Sequence, residues 1–449
     1  MNSENKLGTQ DVKSLLTSLA IPAIIGQVVS LIYNIVDRMY IGHIKDIGSL
    51  ALTGIGICSP LLIIMSAFAV LIGIGGSPRA SIKMGEGDRT GAEKIIGNCF
   101  SFLIVMSIIL TIVFLFFNKK LLILFGASDT TLTYALEYMN IYSIGIIFVM
   151  ISIGMNPFIS AQGYAKVSMF TISLGAILNI ILDPIFIYVL DMNVKGAALA
   201  TIISQGISAF WIYYFSTRKS SLKIKRNNYK IDFQLMKPVF YLGLSPFMMQ
   251  ISESFIMIAF NSELQKYGGD LTVGAMTIAV TASNFLFLPI SGITQGAQPI
   301  MSYNFGAKNK QRMEETFKYM IKSIMTFTFI FFIGIMIFPR VFIELFTKDG
   351  QLVEITVKYL RIYMAGTLAM GIQVACQHTF LALGNAKTSL FLSLLRKIIL
   401  LIPLIYTLPL FFNNKVFAVF LAEPIADIMA GTITGILFYR YFTKTLKSI

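Results

Sequence analysis

Twelve long apolar runs constrain the fold of this chain more than any motif does. Each run holds about the 20 residues that an α-helix needs to cross the hydrocarbon core of a bilayer. The 449-residue sequence is 56% hydrophobic with a mean hydropathy of +0.75, which excludes an ordinary soluble protein. We therefore predict an all-α polytopic membrane protein with transmembrane helices at 14–37, 50–77, 95–117, 131–155, 167–190, 196–216, 238–262, 271–303, 319–338, 352–378, 388–411 and 416–441.

The net charge of +14 would suit a nucleic-acid partner, but the positions of the basic residues do not. Lys and Arg are concentrated in the tails and in alternate loops, as expected when both termini are cytoplasmic. This pattern excludes nucleic acid and predicts a multi-pass protein of the cell membrane, in contact with the lipid bilayer. The densest basic cluster lies at 218–230. We interpret it as a topology signal within a linker, with binding of anionic lipid as the alternative.

The sequence contains no common catalytic constellation. A Gly-x-x-x-x-Gly-Lys-Ser/Thr loop is missing, so we predict a protein that is not an enzyme, does not hydrolyse ATP and needs no cofactor. Three Cys and two His are scattered and predict neither disulfides nor a metal cluster. The first 13 residues mix acidic and basic side chains, unlike a cleaved leader, so we expect the first span to remain in the mature chain.

One polar pair stands inside the fifth apolar run. Asn179 and Asp183 are four residues apart and therefore share one helix face. A carboxyl group within hydrocarbon is costly, and by default it is there to bind a proton or a cation. Pro184 should bend the helix beside the acid, because it cannot donate to the carbonyl of Ile180. The alternative is a structural kink at which Asp183 only caps the freed backbone.

The chain also contains an internal duplication. Residues 84–89 align with 305–310 at a shift of 221 positions, and 163–168 align with 384–389 at the same shift. Near the start of each half the shift becomes 224, which pairs Pro22 with Pro246 and Asp37 with Asn261. Chance matches would need a different shift at each place, so the constant shift indicates duplication.

Six spans in each half give both halves the same orientation in the membrane. We predict two pseudo-symmetric six-helix lobes, residues 1–217 and 237–449, joined by a basic cytoplasmic linker at 218–236. Parallel repeats of this kind occur in secondary transporters, which bind substrate between the lobes and expose it to each side in turn. The duplication favours a moving carrier over a passive channel.

Short segments of this sequence match a known family, at 22–42, 85–88, 179–186, 196–201, 295–300 and 303–309. These segments resemble the multidrug and toxic compound extrusion (MATE) family, and within it the MepA-like branch. They occur in order across both halves, so the resemblance covers essentially the whole chain.

The resemblance implies a V-shaped pair of lobes that exports small-molecule cationic drugs, often aromatic, in exchange for protons or sodium ions; we expect a monomer. In such transporters the amino-terminal lobe holds a cation site and its first helix bends at a proline. The matching positions here are Asp37, Asn179, Asp183 and Thr201 for the site and Pro22 for the bend.

The chemistry of these side chains suits either coupling ion. Two carboxylates in one desolvated cavity cannot both ionise cheaply, so one of them is expected to hold a proton. The hard oxygen atoms of Asp37, Asn179, Asp183 and Thr201 could equally hold a sodium ion. Our hypothesis is that Asp183 carries the coupling ion and that Asp37 tunes it.

The second lobe supplies the candidate substrate-binding residues. Glu253 lies in the seventh span, near the place where many relatives carry a functional glutamate, and Gln250 and Met257 lie within one helical turn of it. Glu423 and Asp427 share a face of the twelfth span. Met and aromatic side chains suit a pliable pocket for apolar cations.

Three basic residues within spans leave the role of those acids open. Arg361, Arg396 and Lys397 could form structural ion pairs with Glu423 and Asp427, since intramembrane charges tend to pair. The same three bases keep a second function in view, a lipid or lipid-linked glycan flippase of the same superfamily. The tenth span offers Gln373 and Arg361 in place of the acid of the sodium-coupled branch, so we do not expect a sodium site in this lobe.

Overall fold

The computed structural model describes residues 3–448, and almost all of this range is helical. The amino-terminal half forms α1 (Ser3–Thr9), α2 (Val12–Gly42), α3 (Gly48–Gly85), α4 (Arg89–Leu124), α5 (Asp129–Ile144), α6 (Ile146–Ala161), α7 (Ala165–Pro184) and α8 (Asn193–Arg218). The carboxy-terminal half forms α9 (Phe233–Gly306), α10 (Lys310–Ile337), α11 (Pro339–Ile343), α12 (Gly350–Tyr363), α13 (Thr367–Ala382), α14 (Ala386–Leu394), α15 (Ile402–Phe411) and α16 (Lys415–Ser448).

The helices account for the twelve predicted spans. Nine helices within residues 3–448 are long and apolar enough to cross a membrane. This number counts α7 together with the turn that follows it to Val189, and counts α14 and α15 with the turn between them as one helix. The bent pair α5 and α6 forms a tenth span. At about 1.5 Å per residue the 74-residue α9 is far too long for one crossing. It breaks at Gly269, where φ is 67°, and so supplies two spans, 233–268 and 270–306. The pair α12 and α13 occupies the predicted tenth span.

The predicted limits of several spans were wrong, because apolar content marks the hydrocarbon core and not the ends of a helix. The predicted span 95–117 lies inside the longer α4, whose first turn is capped by Asp88. The predicted span 131–155 is two helices that meet at Gly145 with a bend of 62°, and it continues to Ala161. A Cβ on Gly145 would approach Ile202 to 2.4 Å, so a glycine is needed at this close contact.

The duplication is visible in the local geometry of the two lobes. The side chain of Ser81 donates to the carbonyl of Ala161 at 2.7 Å, and Ser302 donates to Ala382 at the same distance, with both residues shifted by 221. The helix N-caps Asp88 and Asn309 are related by the same shift. Equivalent residues thus form equivalent bonds, as a duplicated unit requires.

The two lobes meet at the end of the molecule that carries α1 and the linker. There Gly85 lies so close to the carbonyl of Tyr303 that an added Cβ would be 1.9 Å away, and its repeat partner Gly306 is packed equally tightly against Ile82. Contacts continue to the middle of α3, where Ser66 accepts a hydrogen bond from the opposite lobe. Beyond that depth no hydrogen bond or aromatic contact joins the lobes in the described residues, and the side chain of Glu253, one turn further along α9 than Gln250, is 60% exposed. We interpret this exposed region between the lobes as a cleft that opens toward the other end.

The predicted basic linker packs against the amino-terminal lobe. The buried carboxylate of Glu93 accepts from Lys225 Nζ at 2.5 Å. The side-chain oxygen of Gln162 accepts from Ser220 Oγ at 2.7 Å and from the N–H of Leu222 at 2.8 Å. Part of the basic cluster therefore fixes the linker to one lobe. Its lipid-binding alternative and the exact lobe boundaries stay predictions.

Candidate functional site

The amino-terminal lobe brings three of the predicted cation-site residues together. Asn179 and Asp183 lie one turn apart on α7, and Thr201 lies on the neighbouring α8. The Asn179 amide donates to Asp183 Oδ1 at 3.2 Å and to Thr201 Oγ1 at 3.3 Å. Asp183 is completely shielded from solvent, and the other two are also buried. The four-residue spacing therefore does place both α7 side chains on one inward face.

Asp37 of α2 completes the predicted set. Its carboxyl group lies close enough to that of Asp183 for a hydrogen bond between them. One oxygen atom of Asp37, one of Asp183 and the amide oxygen of Asn179 are buried without a hydrogen-bond partner. Buried polar atoms are normally paired, so these three oxygens are suited to receive a proton or a cation.

This acid pair has no ion-pair partner in the described residues, although the charge of Arg38, next to Asp37 in sequence, acts on it. Neither Asp37 nor Asp183 forms an ion pair with Lys or Arg in the part of the chain that the structure describes. Two carboxylates this close and this desolvated cannot both remain ionised without a counter-ion. The kink alternative would have Asp183 accept from backbone N–H groups, but its hydrogen bond in residues 3–448 comes from the Asn179 side chain. The site can thus hold one proton or one small cation.

Tyrosines near the acid pair were not anticipated as part of the site. Tyr33 and Tyr138 lie in the electrostatic neighbourhood of Asp37, and the ring of Tyr138 stacks on Tyr142 with centroids 5.8 Å apart. Tyr33 precedes Asp37 by one helical turn, so its position on the same helix face could have been predicted from the sequence. Tyr138 and Tyr142 come from α5, and only the packing of α5 against α3, α4 and α8 places them here.

The predicted irregularity at Pro184 takes the form of a π-helical turn. Helix α7 ends at this proline, and Ile185–Val189 continues with π-type hydrogen bonds. A second π-helical segment, Leu395–Leu401, occupies the equivalent helix of the other lobe. Such turns often occur at functional sites. Helix α2 runs through Pro22 as one unbroken helix, so bending there stays a prediction.

The carboxy-terminal lobe holds a contrasting cluster, in which a base binds both acids of α16. Arg396 Nη2 lies 2.9 Å from Glu423 Oε1, and Arg396 Nε lies 2.6 Å from Asp427 Oδ1. All three side chains are largely or fully buried. A guanidinium that donates to two carboxylates is the geometry of a strong buried ion pair. The predicted role of Glu423 and Asp427 in substrate contact stays a prediction.

Lys397 does not join those acids but pairs with Glu253 of α9. Its ammonium contacts Glu253 Oε1 and also donates to the carbonyl of Met249 at 3.1 Å. The Lys397 side chain is only 6% exposed, whereas that of Glu253 is 60% exposed. Glu253 therefore pairs with the lysine through Oε1, while more than half of its side-chain surface stays accessible.

Gln250 and Met257 lie on the same stretch of α9. Gln250 Nε2 donates to Ser66 Oγ of the opposite lobe at 2.8 Å, which places this face of α9 at the floor of the cleft. The partner Ser66 could not be found from sequence, because the contact joins residues 184 positions apart. Met257 is half-buried one turn above Glu253.

Two polar residues of the predicted tenth span lie outside the charged cluster. Arg361 is exposed on α12 and forms no ion pair with any described residue, so the predicted pairing with Glu423 or Asp427 was wrong for this base. Gln373 is buried in α13 and donates to Gln377 at 3.3 Å. Neither side chain has a hydrogen bond or ion pair to the α16 acids among the described residues, and apolar patterns in the sequence do not specify this.

The fold and the two charged clusters define a membrane carrier with duplicated six-helix lobes around a cleft. Comparison with known proteins is more specific: the MatE family model matches residues 22–185 and again residues 246–407. The chain belongs to the MatE family, which confirms the membership that the sequence motifs predicted.

Relatives and solved structures agree with this assignment. The chain is 28% identical over 433 residues to the multidrug export protein MepA of Staphylococcus aureus (strain N315), covering 96% of this chain and 95% of the relative. It is 27% identical over 414 residues to MepA of Staphylococcus haemolyticus (strain JCSC1435), covering 92% and 90%. The fold matches a MATE in the bent conformation with a TM-score of 0.93 at 23% identity, covering 100% of this chain and 99% of that chain. It also matches an outward-facing multidrug resistance MATE transporter of the MOP superfamily with a TM-score of 0.91 at 23% identity, covering 98% of each.

Proposed function

We propose that this protein is a secondary active multidrug exporter that exchanges cationic, often aromatic, organic compounds for protons or sodium ions. Membership of the MatE family and similarity to multidrug export proteins support a multidrug efflux transporter that works by alternating access. Such a protein is a multi-pass membrane transporter and not an enzyme. The observation that carries the coupling proposal is the pair of Asp37 and Asp183, which forms no ion pair with a described Lys or Arg and leaves oxygen atoms unpartnered inside the lobe.

In this proposal Asp183 takes up the coupling ion. A proton would sit between the two facing carboxyl groups and remove the repulsion between them. A sodium ion would use the unpartnered oxygens of Asp37, Asn179 and Asp183, which are the hard ligands that such an ion prefers. Either ion changes the charge of the lobe by one unit beside the π-helical turn after Pro184. That charge change is the local event that biases the packing of α2 and α7 between the two states of the carrier.

The charged residues of the carboxy-terminal lobe support the proposed class of substrate, organic cations. Three carboxylates, Glu253, Glu423 and Asp427, face two bases, Arg396 and Lys397, so the cluster carries an excess of one negative charge when all five are ionised. A negative cleft with Met and Phe side chains favours apolar cations. Both bases are already paired with carboxylates, so this geometry gives less support to a flippase for anionic lipid-linked sugars.

We further propose a location in the cell membrane with both termini cytoplasmic. The concentration of Lys and Arg in the linker and tails supports this orientation. The closed end of the molecule is then the cytoplasmic one, because it carries α1 and the linker. A monomer is sufficient, since both lobes of the cleft come from one chain.

The test is transport of ethidium by purified protein in liposomes, with pH and sodium gradients imposed separately. We expect the wild-type protein to drive ethidium against one of the two gradients and Asp183→Asn to lose that driven transport while remaining folded. The matched control is Asp270→Asn, which neutralises an exposed acid outside the site. Full gradient-driven transport by Asp183→Asn would refute the coupling role, and translocation of a lipid-linked sugar without ethidium transport would favour the flippase.

A further inference from the structure

We propose that the ammonium group of Lys397 is an internal substitute for the substrate's positive charge, and that a cationic substrate binds Glu253 by displacing it. The inference rests on the proposed export function and specifies how the carboxy-terminal lobe takes a cation. It assigns a positioning and specificity role to a lysine that otherwise would be counted as a structural ion-pair partner.

The first observation is the unequal exposure of the two partners. Lys397 projects from the π-helical segment before α15 and is almost fully buried, with its ammonium held by Glu253 and by the Met249 carbonyl. The Glu253 side chain is 60% exposed. An incoming cation can therefore reach the carboxylate without first opening the protein. When it binds, the lysine keeps the hydrogen bond to Met249.

The second observation is that the neighbouring acids, Glu423 and Asp427, are not accessible in the way that Glu253 is. Arg396 binds Glu423 and Asp427 together, and Asp427 is 3% exposed. A substrate charge would have to break two buried contacts to enter there, at a high cost. Among the described acids of this cluster, Glu253 is the one that is both accessible and held by a single base.

The third observation is the position of Glu253 in the cleft. It lies one helical turn from Gln250, whose bond to Ser66 marks the depth at which the lobes meet. Just below that bond the rings of Phe68 and Phe247, from opposite lobes, lie with centroids 5.2 Å apart. A carboxylate above an aromatic pair suits an organic cation with a flat apolar body and an ammonium, guanidinium or amidine group.

Glu253 is paired with one cation before and after the exchange, and the added substrate charge offsets the single excess negative charge of the cluster formed by Glu253, Glu423, Asp427, Arg396 and Lys397. The apolar body of the substrate then adds contacts that a lysine side chain does not make. The same competition lowers the apparent affinity for every cation, because part of the binding free energy is used to displace Lys397. An ion pair with one exposed partner should weaken binding by roughly two- to fivefold.

The experiment measures ethidium binding to the purified full-length protein by fluorescence anisotropy. We expect Lys397→Met, which keeps an apolar side chain of similar length, to tighten ethidium binding by roughly two- to fivefold. Glu253→Gln should weaken it, and the double variant should bind like Glu253→Gln. The matched control, Lys444→Met, removes an exposed lysine near the end of α16 and should leave affinity unchanged. If Lys397→Met does not fold, Lys397→Gln, which can still donate to the Met249 carbonyl, replaces it.

The outcomes separate this inference from the function on which it rests. If the wild-type protein transports ethidium but a folded Lys397 variant binds it with unchanged or weaker affinity, the displacement inference is wrong and the export function stands. If the wild-type protein neither binds nor transports organic cations, the proposed function fails and this inference fails with it.

Discussion

The two lobes share a fold and a duplicated sequence, yet they hold their buried acids in opposite electrostatic settings. In the amino-terminal lobe Asp37 and Asp183 face each other, and no described Lys or Arg pairs with either. In the carboxy-terminal lobe Arg396 binds both Glu423 and Asp427. An acid pair without an ion-pair partner must obtain a compensating charge from a bound ion, whereas Arg396 gives both acids of the second cluster a permanent ion-pair partner. The first arrangement can couple to an ion gradient and the second can hold helices together.

The largest effect should come from removing the base of the carboxy-terminal lobe. Arg396→Met leaves Glu423 and Asp427 buried without a counter-charge, which we expect to destabilise the protein by about 3–5 kcal/mol. The triple variant Arg396→Met, Glu423→Gln, Asp427→Asn should recover most of this loss, since no buried charge remains. Thermal unfolding in detergent measures both. A stable Arg396→Met protein would contradict the view that the two lobes differ in this way.

An intermediate effect should separate the acids of the two lobes by function. Asp37→Asn should lower gradient-driven ethidium efflux by roughly tenfold, the effect of about 1.4 kcal/mol, because the remaining acid no longer has a carboxylate partner that adjusts its ion affinity.

Glu423→Gln keeps an oxygen for Arg396, so transport should remain near the wild-type rate with somewhat lower stability. Efflux in liposomes and expression level are the measurements. A changed drug profile in well-expressed Glu423→Gln would show that this acid contacts substrate.

The smallest effect concerns two equivalent helix caps. Asp88 accepts from the N–H of Gly91 at 2.8 Å, and Asn309 accepts from Arg312 at 3.2 Å. Replacing either residue by Ala should cost about 1 kcal/mol. The hydrogen bond from Gly91, together with the contact to Lys83, lowers the pKa of Asp88 below its ordinary value.

These caps should differ in their response to pH. Because the folded pKa of Asp88 is lowered, its contribution is fully present above the ordinary carboxyl pKa of about 3.9 and is lost as pH falls through the folded pKa. Asn309 does not titrate, so its contribution should stay constant. Unfolding curves of Asp88→Ala and Asn309→Ala from pH 7 to pH 3 test this difference. Parallel behaviour of the two variants would contradict it.

Sequence reasoning succeeded where one helix carries the whole signal. The spacing of Asn179 and Asp183 predicted their shared face, and the 221-residue shift predicted a duplication, which the structure shows in the equivalent bonds of Ser81 and Ser302. It failed where the answer depends on which helices face each other. Arg361, Arg396 and Lys397 are equally basic in the sequence, but only the packing of three helices directs Arg396 to α16, Lys397 to Glu253 and Arg361 to the surface.

The sequence by itself determined that this chain spans a membrane, that it is duplicated and that it belongs among MATE transporters. Each of these conclusions depends on patterns along the chain, such as apolar length, a constant shift and ordered motifs. Only the tertiary structure decided which buried charges are compensated. Ion pairing depends on distances of a few ångströms between side chains far apart in sequence, and helix rotation and crossing set those distances.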